Sequence, residues 1–389
     1  MLIHEIILQG VLSFSPDSPP LPLRPLNVLI GPNGSGKSNL VDAIGLLRSC
    51  PGKLTAPMRG TGGGVREWIW KGAENENAKI DAAIHYSTGS QRLRHRIGFT
   101  ETAARFELLD ETIEISGSAP EHPNPASHYH FQSGKAELAA ADGSIQNLGS
   151  KDIAADASIL SQRKDPDRYP ALSHLAEMYS KVRIYREWSF GRSSVFRVPQ
   201  PSDLPGDRLE ENFSNFGLFL NHLRGVPRAK NTIIEHLRDL YAELDDFDVR
   251  VKGGTVEVFL TEQDFMIPAS RLSDGTLRYL CLLAILCDPD PPPLVCIEEP
   301  ELGLHPDILP KIADLLVEAS ERMQLIVTTH SDILVDAMTE QPESVVVVEK
   351  HAHRTRMERL VEDEQLQEML NKYRLGQLWM RGDIGGTRW

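Results

Sequence analysis

Long apolar runs are missing from this sequence. No stretch approaches the ~18 residues that a membrane-spanning helix needs, so no membrane role is expected. The start, "MLIHEIILQG", carries Glu5 and lacks a basic leading segment, so no targeting signal is read there. Cysteine is scarce: Cys50, Cys281, Cys287 and Cys296 make four, with no Cys-x-x-Cys pair. That argues against a zinc knuckle or a disulfide framework, and a reducing, cytoplasmic setting is the expectation. Positive charge is in the minority. Against 55 Asp and Glu stand 41 Lys and Arg, a net charge of −14, which argues against a chain coated in positive potential but leaves room for a local basic groove. No internal repeat is visible, and no long heptad run, so a coiled-coil arm is not expected.

What is present is an ordinary globular composition in 389 residues, 41% hydrophobic and 25% charged. "LNVLI" (26–30) is a short apolar run stopping at Gly31, the pattern of a buried strand. In "KSNLVDAIGLLRSC", Leu40, Ala43, Ile44 and Leu47 share one helix face. Residues 51–75 read as a Gly-rich loop, and 76–150 as a meander of short strands that include "ARFELLD" and "TIEIS". Residues 152–181 and 207–243 are helical in pattern, with a strand-like "KVRIYREWSF" between them. "FDVRVKGGTVEVFL" reads as a hairpin turning at Gly253-Gly254. Beyond 271, helices alternate with the strands "PLVCIEE", "QLIVTTH" and "SVVVVEK", which implies a parallel sheet. The simplest organisation is one composite domain whose sheet is built from both ends of the chain.

Three stretches carry chemistry. "GPNGSGKS" supplies Gly31, Pro32, Asn33, Gly34, Ser35, Gly36, Lys37 and Ser38 between a strand and an amphipathic helix, which satisfies G-x-x-x-x-G-K-[ST] in its proper context. Glycines let the backbone wrap phosphate and aim N–H groups at it; Lys37 would meet the β- and γ-phosphates of ATP, and Ser38 would ligate Mg²⁺. "LVCIEE" ends a buried strand in two acids. We assign Glu298 to metal and Glu299 to water; neighbours on a strand face opposite ways, so a shared role requires the strand to end there. Alone, the two acids would be a solvated pair. "QLIVTTH" brings His330 to the ligand-binding end of a parallel strand, where it either senses the γ-phosphate and orients water or simply bonds to backbone.

Together these stretches resemble the ABC ATPase superfamily. "GPNGSGKS" looks like Walker A, "LVCIEE" like Walker B with its catalytic glutamate, "PELGLHP" like the D-loop, "TTH" like the H-loop and "LSDGT" (272–276) like the signature. Within it the chain resembles the soluble branch of RecF, SMC heads and OLD-like ATPases, through "IILQGVLSF" and "EEPELGLHP". The resemblance implies an α/β head: residues 1–150 an N-terminal ATPase lobe with Walker A and the antiparallel meander, 151–250 a mainly helical insertion, and 251–389 a C-terminal lobe. It also implies a homodimer that sandwiches ATP, with Ser273 and Gly275 of the signature completing the other subunit's site. Glu298 stands where most transporters have Asp, Asp274 where the family usually has Gly, and Gln162 in "LSQRKDP" is the candidate for the family's metal-contacting glutamine, against an ordinary surface residue.

About 40 residues follow "VVVVEK", too few for the Toprim domain of OLD nucleases, so no nuclease activity is expected. Asp246, Asp248, Asp288 and Asp290 read as loop acids, and His122, His128 and His130 as loop histidines. Two loads remain for the switch. One is a clamp on DNA or RNA in maintenance, repair or anti-phage defence, using basic clusters at Arg92, Arg94, His95 and Arg96, and at Arg224, Arg228 and Lys230. The other is a regulator that holds and releases a separate effector protein.

Overall fold

The structure, a computed structural model, describes every residue except 60–62, 73–76, 87–90, 117–126, 150, 264, 362 and 387–389. At its centre lies a six-stranded sheet in the order Arg183–Tyr185, Leu294–Glu298, Gln324–Thr328, Leu26–Ile30, Val345–His351 and Arg354–Arg359. The first five run parallel and the last is antiparallel. One strand thus comes from the N-terminal end, one from the middle of the chain and four from the C-terminal end, a composite sheet.

This sheet is buried on both faces, and the period-2 geometry of strands divides its residues between two cores. Leu29, Leu294, Cys296, Ile326, Val346 and Val348 face one core; it also holds the helices Lys37–Ser49 and Pro170–Lys181 and the antiparallel sheet. Val28, Ile30, Val295, Ile297, Leu325 and Val327 face the other, formed with helices Phe216–Arg224, Pro227–Leu240, Asp274–Leu286 and Leu309–Ser320. Leu40, Ala43, Ile44 and Leu47 are fully buried, as their spacing requires.

The meander is an eight-stranded antiparallel sheet into which Ile3–Gln9 inserts beside Ala78–His85. Arg105–Ser116 is one continuous strand where the sequence suggests two, because a register shift opposite Gly98 and Phe99 carries the pairing past the irregular stretch. The region 51–75, read as loop, holds two single-turn helices, Ala56–Arg59 and Val65–Trp68. Leu244–Lys252 and Thr255–Glu262 form the hairpin, with Gly253 and Gly254 both at positive φ, 62° and 82°, in its two-residue turn. Asp246 and Asp248 are therefore strand residues, not loop acids. His122 lies outside the described residues; His128 and His130 sit on the strand Ser127–Gln132, again not in a loop.

Candidate nucleotide site

The phosphate loop joins the strand Leu26–Ile30 to the helix Lys37–Ser49. Gly31, Gly34 and Gly36 have φ of 149°, 74° and 109°, the region that favours glycine. Gly36 is also held by crowding, since a Cβ there would lie 2.3 Å from Thr355 Oγ1 and 2.9 Å from Ser13 Oγ. These hydroxyls form a relay under the loop. Asn39 Nδ2 donates to Ser13 Oγ at 2.6 Å, Ser13 and Thr355 share a 2.6 Å bond, and Thr355 Oγ1 donates to the Ser35 carbonyl at 2.6 Å. Pro32 is half-buried and Asn33 and Gly34 exposed at the mouth of the loop.

The helix starts at Gly36 with no side-chain cap, so its first N–H groups face the loop. Lys37 is 6% exposed, and its Nζ donates to the Gly31 and Pro32 carbonyls at 2.8 and 3.0 Å. Burial pulls its pKa down to about 8, against the upward pull of Glu299, Glu301 and Glu298. A phosphate would offer this ammonium the counter-charge that carbonyls cannot.

The strand Leu294–Glu298 ends beside the phosphate loop: Glu299 has φ +49°, so the chain turns out of the strand there and the alternation of faces stops. Ser38 Oγ donates to Glu298 Oε2 at 3.4 Å, which joins the two residues assigned to Mg²⁺. Glu298 Oε1 is buried without a hydrogen bond, and so is Ser35 Oγ. Burial pushes the Glu298 carboxyl up, while Arg186 pulls it back. An acid oxygen left bare beside an uncapped helix and a buried lysine fits Mg²⁺ and a polyphosphate. His330 Nε2 lies 3.7 Å from Glu299 Oε1, so the adjacent strand ends bring the assigned water acid and its partner together.

Gln162 sits elsewhere. Its carboxamide accepts from Ala154 N at 2.9 Å and donates to the carbonyls of Ala157 and Ser158 at 3.0 and 3.4 Å. This closes a turn against the antiparallel sheet, where Ile159 N bonds to Glu111. Four residues have no role in the sequence reading. Glu301 is half-buried; Oε1 accepts from His330 N at 2.8 Å and from Thr329 Oγ1 at 2.7 Å, which fixes the backbone that carries His330. Its place two residues after Glu299 is the signal that could have flagged it. Arg186, at the end of the strand beside Glu298, binds Asp42. Trp188 Nε1 donates to the Glu298 carbonyl at 2.7 Å and lies beneath Arg278, whose guanidinium is 4.9 Å from its ring.

Ser273 caps the helix Asp274–Leu286 by accepting from Thr276 N at 3.0 Å and stays exposed. Gly275 lies close under the D-loop turn: a Cβ there would be 3.2 Å from the Gly303 carbonyl. Asp274, unaccounted for in sequence, pairs with Arg197, whose guanidinium also donates to the Leu272 and Ser270 carbonyls at 2.6 and 3.2 Å.

Comparison with known proteins gives a family and a fold. Residues 26–336 match the family described as "AAA domain, putative AbiEii toxin, Type IV TA system". The chain belongs to this AAA family. It is 22% identical over 351 residues to the Old nuclease of Escherichia phage P2, covering 81% of this chain and 54% of that protein, so it spans about half of that relative's length. Its fold is that of SMC heads. An SMC head bound to the C-terminal winged-helix domain of ScpA matches 94% of this chain and 100% of its own, at TM-score 0.58 and 14% identity. The SMC head with an extended coiled coil bound to the C-terminal domain of ScpA, from Pyrococcus furiosus, matches 96% and 99% at TM-score 0.59 and 14% identity. The AAA family chain is thus an ABC-type ATPase head in architecture, and no helix among its described residues is long and apolar enough to cross a membrane.

Proposed function

We propose that this AAA family protein binds and hydrolyses ATP with Mg²⁺, and that ATP-dependent pairing of two heads is the switch it provides. The observation that carries the reading is the convergence of Ser38, Glu298, Glu299 and His330 at the mouth of the phosphate loop. Lys37 and the first turn of its helix hold the phosphates. Ser38 and Glu298 hold Mg²⁺, which neutralises phosphate charge when bound. Glu299 takes a proton from the attacking water, and His330, set by Glu301, orients it. Ser273 is exposed and Gly275 half-buried at a helix N-terminus, where a donor set for a second copy's γ-phosphate would stand. Sedimentation of Glu299→Gln with ATP and Mg²⁺ tests the switch: a stable dimer is expected, and Ser273→Arg in the same background should return it to monomer. A Glu299→Gln protein that stays monomeric would overturn the pairing.

One observation favours effector control over a nucleic-acid clamp as the output. The two basic clusters are largely spent within the fold. Arg94 and Arg96 grip Asp81 at 2.7 and 3.2 Å, and His95 is fully buried. Arg224 pairs with Asp248, and Lys230 with Asp246 at 2.7 Å. The toxin–antitoxin description of the family points the same way. A salt series with duplex and single-stranded DNA and RNA, ATP present, separates the two. No binding at low salt supports effector control, and tight, steeply salt-dependent binding restores the clamp.

A further inference from the structure

A cation already stands beside the proposed metal site. The strand Arg183–Tyr185 runs parallel to Leu294–Glu298 with Tyr185 opposite Ile297, so the next residue, Arg186, emerges next to Glu298. Its Nη1 donates to Asp42 Oδ1 at 2.7 Å, and Nη2 lies 3.5 Å from Glu298 Oε1. Asp42 is one turn beyond Ser38 on the phosphate-loop helix. The result is a bridge of acid, guanidinium and acid across the gap between helix and strand, with Ser38 closing the other side of Glu298. The split of distances is informative. Arg186 makes its hydrogen bond to Asp42, whereas its contact with Glu298 is electrostatic, and Glu298 Oε1 stays without a hydrogen bond. Arg186 is therefore anchored on the helix and free to give up the strand carboxylate.

We propose that Arg186 is the resident counter-cation of the divalent site, sharing Glu298 in the metal-free protein and competing with the incoming ion for it. The inference rests on the reading of Ser38 and Glu298 as metal ligands. Arg186 acts as a positioning residue. It keeps two carboxylates from repelling each other while no ion is present, and it lowers the affinity of the bare site, so the ion is retained only when nucleotide phosphates add their charge. A unit charge this near a divalent ion alters its affinity by at least about tenfold even at the dielectric of bulk water, and by more in a half-buried setting.

The test is Mn²⁺ binding to the full chain, read by electron paramagnetic resonance with saturating ADP. Arg186→Gln and Arg186→Ala should each bind Mn²⁺ at least about tenfold more tightly than the parent. The Gln variant keeps a hydrogen-bonding group for Asp42, so it guards against misfolding. If Arg186 were only a structural tie, both variants would lose stability while Mn²⁺ affinity stayed the same or weakened; that result overturns the proposal. Glu298→Gln is the control for the underlying reading. Loss of Mn²⁺ binding there supports the ligand assignment whatever Arg186 does, whereas unchanged binding removes the assignment and this inference with it.

Discussion

Two glutamates on neighbouring sheets, Glu111 fully buried and Glu298 half-buried, show how differently this molecule treats charge. Glu111, in the antiparallel sheet, is 0% exposed and surrounded by donors: His95 Nε2 at 3.2 Å, Ile159 N at 2.9 Å and the Ser158 hydroxyl. His95 in turn bonds to Tyr179 at 3.0 Å, so the network ties the meander to the helix Pro170–Lys181. Glu298, at the end of a parallel strand, keeps one buried oxygen bare. The first is satisfied and structural. The second leaves that oxygen without a hydrogen bond, facing the Arg186 guanidinium at 3.5 Å. Satisfaction of polar groups, more than their burial, separates scaffold from site.

The sharpest test of that contrast is Lys37→Ala. It removes an ammonium that the loop holds only with two carbonyls, so turnover should fall by at least about 100-fold, while the urea midpoint should hold or rise. A chain that unfolds instead would place Lys37 with the scaffold. Glu111→Leu is the converse. It strands His95, Ser158 and the Ile159 N–H in a dry core, and about 3 kcal/mol of stability should be lost in urea denaturation. Nucleotide affinity per folded molecule should be unchanged. Thr355→Val is a smaller probe of the border between the regions, because its hydroxyl bonds to the Ser35 carbonyl and to Ser13. Losing about 1 kcal/mol there should weaken ADP binding around fivefold by calorimetry. An unaltered dissociation constant would show that the relay does not shape the loop.

Sequence alone reaches the elements whose order is written locally. The phosphate loop, the Glu298-Glu299 strand end and the signature helix each follow from spacing and from the apolar runs that bury them, and the Gly253-Gly254 turn follows from backbone freedom. What it does not reach are partners brought together across the chain. Thr355 meets Ser35 over 320 positions and Arg186 meets Asp42 over 144. No local pattern ties those residues together; only the composite sheet does. The same holds for Gln162, where a short motif suggested a metal contact and the fold gives its amide a turn to close, and for Asp274, whose oddness disappears once Arg197 is seen beside it. The partners of the basic clusters lie out of reach of the sequence for a related reason. Period-2 alternation places Arg94 and Arg96 on one face of a strand, but only the register with the neighbouring strand shows Asp81 opposite Arg96 and within reach of both.

That register leads to the smallest effect and the most pointed check. Arg94 and Arg96 straddle one carboxylate, with Glu5 and Glu114 each 3.8 Å from one of the pair. Both guanidiniums are partly solvated, so Arg94→Gln should cost under about 1 kcal/mol, with the remaining arginine still holding Asp81. The Arg94→Gln, Arg96→Gln double variant should lose more than the sum of the single changes, because it leaves Asp81, only 4% exposed, with neither partner. Urea titration of the three proteins measures that excess directly. If the two changes instead add, and low-salt nucleic-acid binding falls with them, the arginines serve a phosphate backbone and the meander is a working surface. If the excess appears and no nucleic-acid binding is lost, their charge belongs to Asp81, and the antiparallel sheet is a support on which the nucleotide site is mounted.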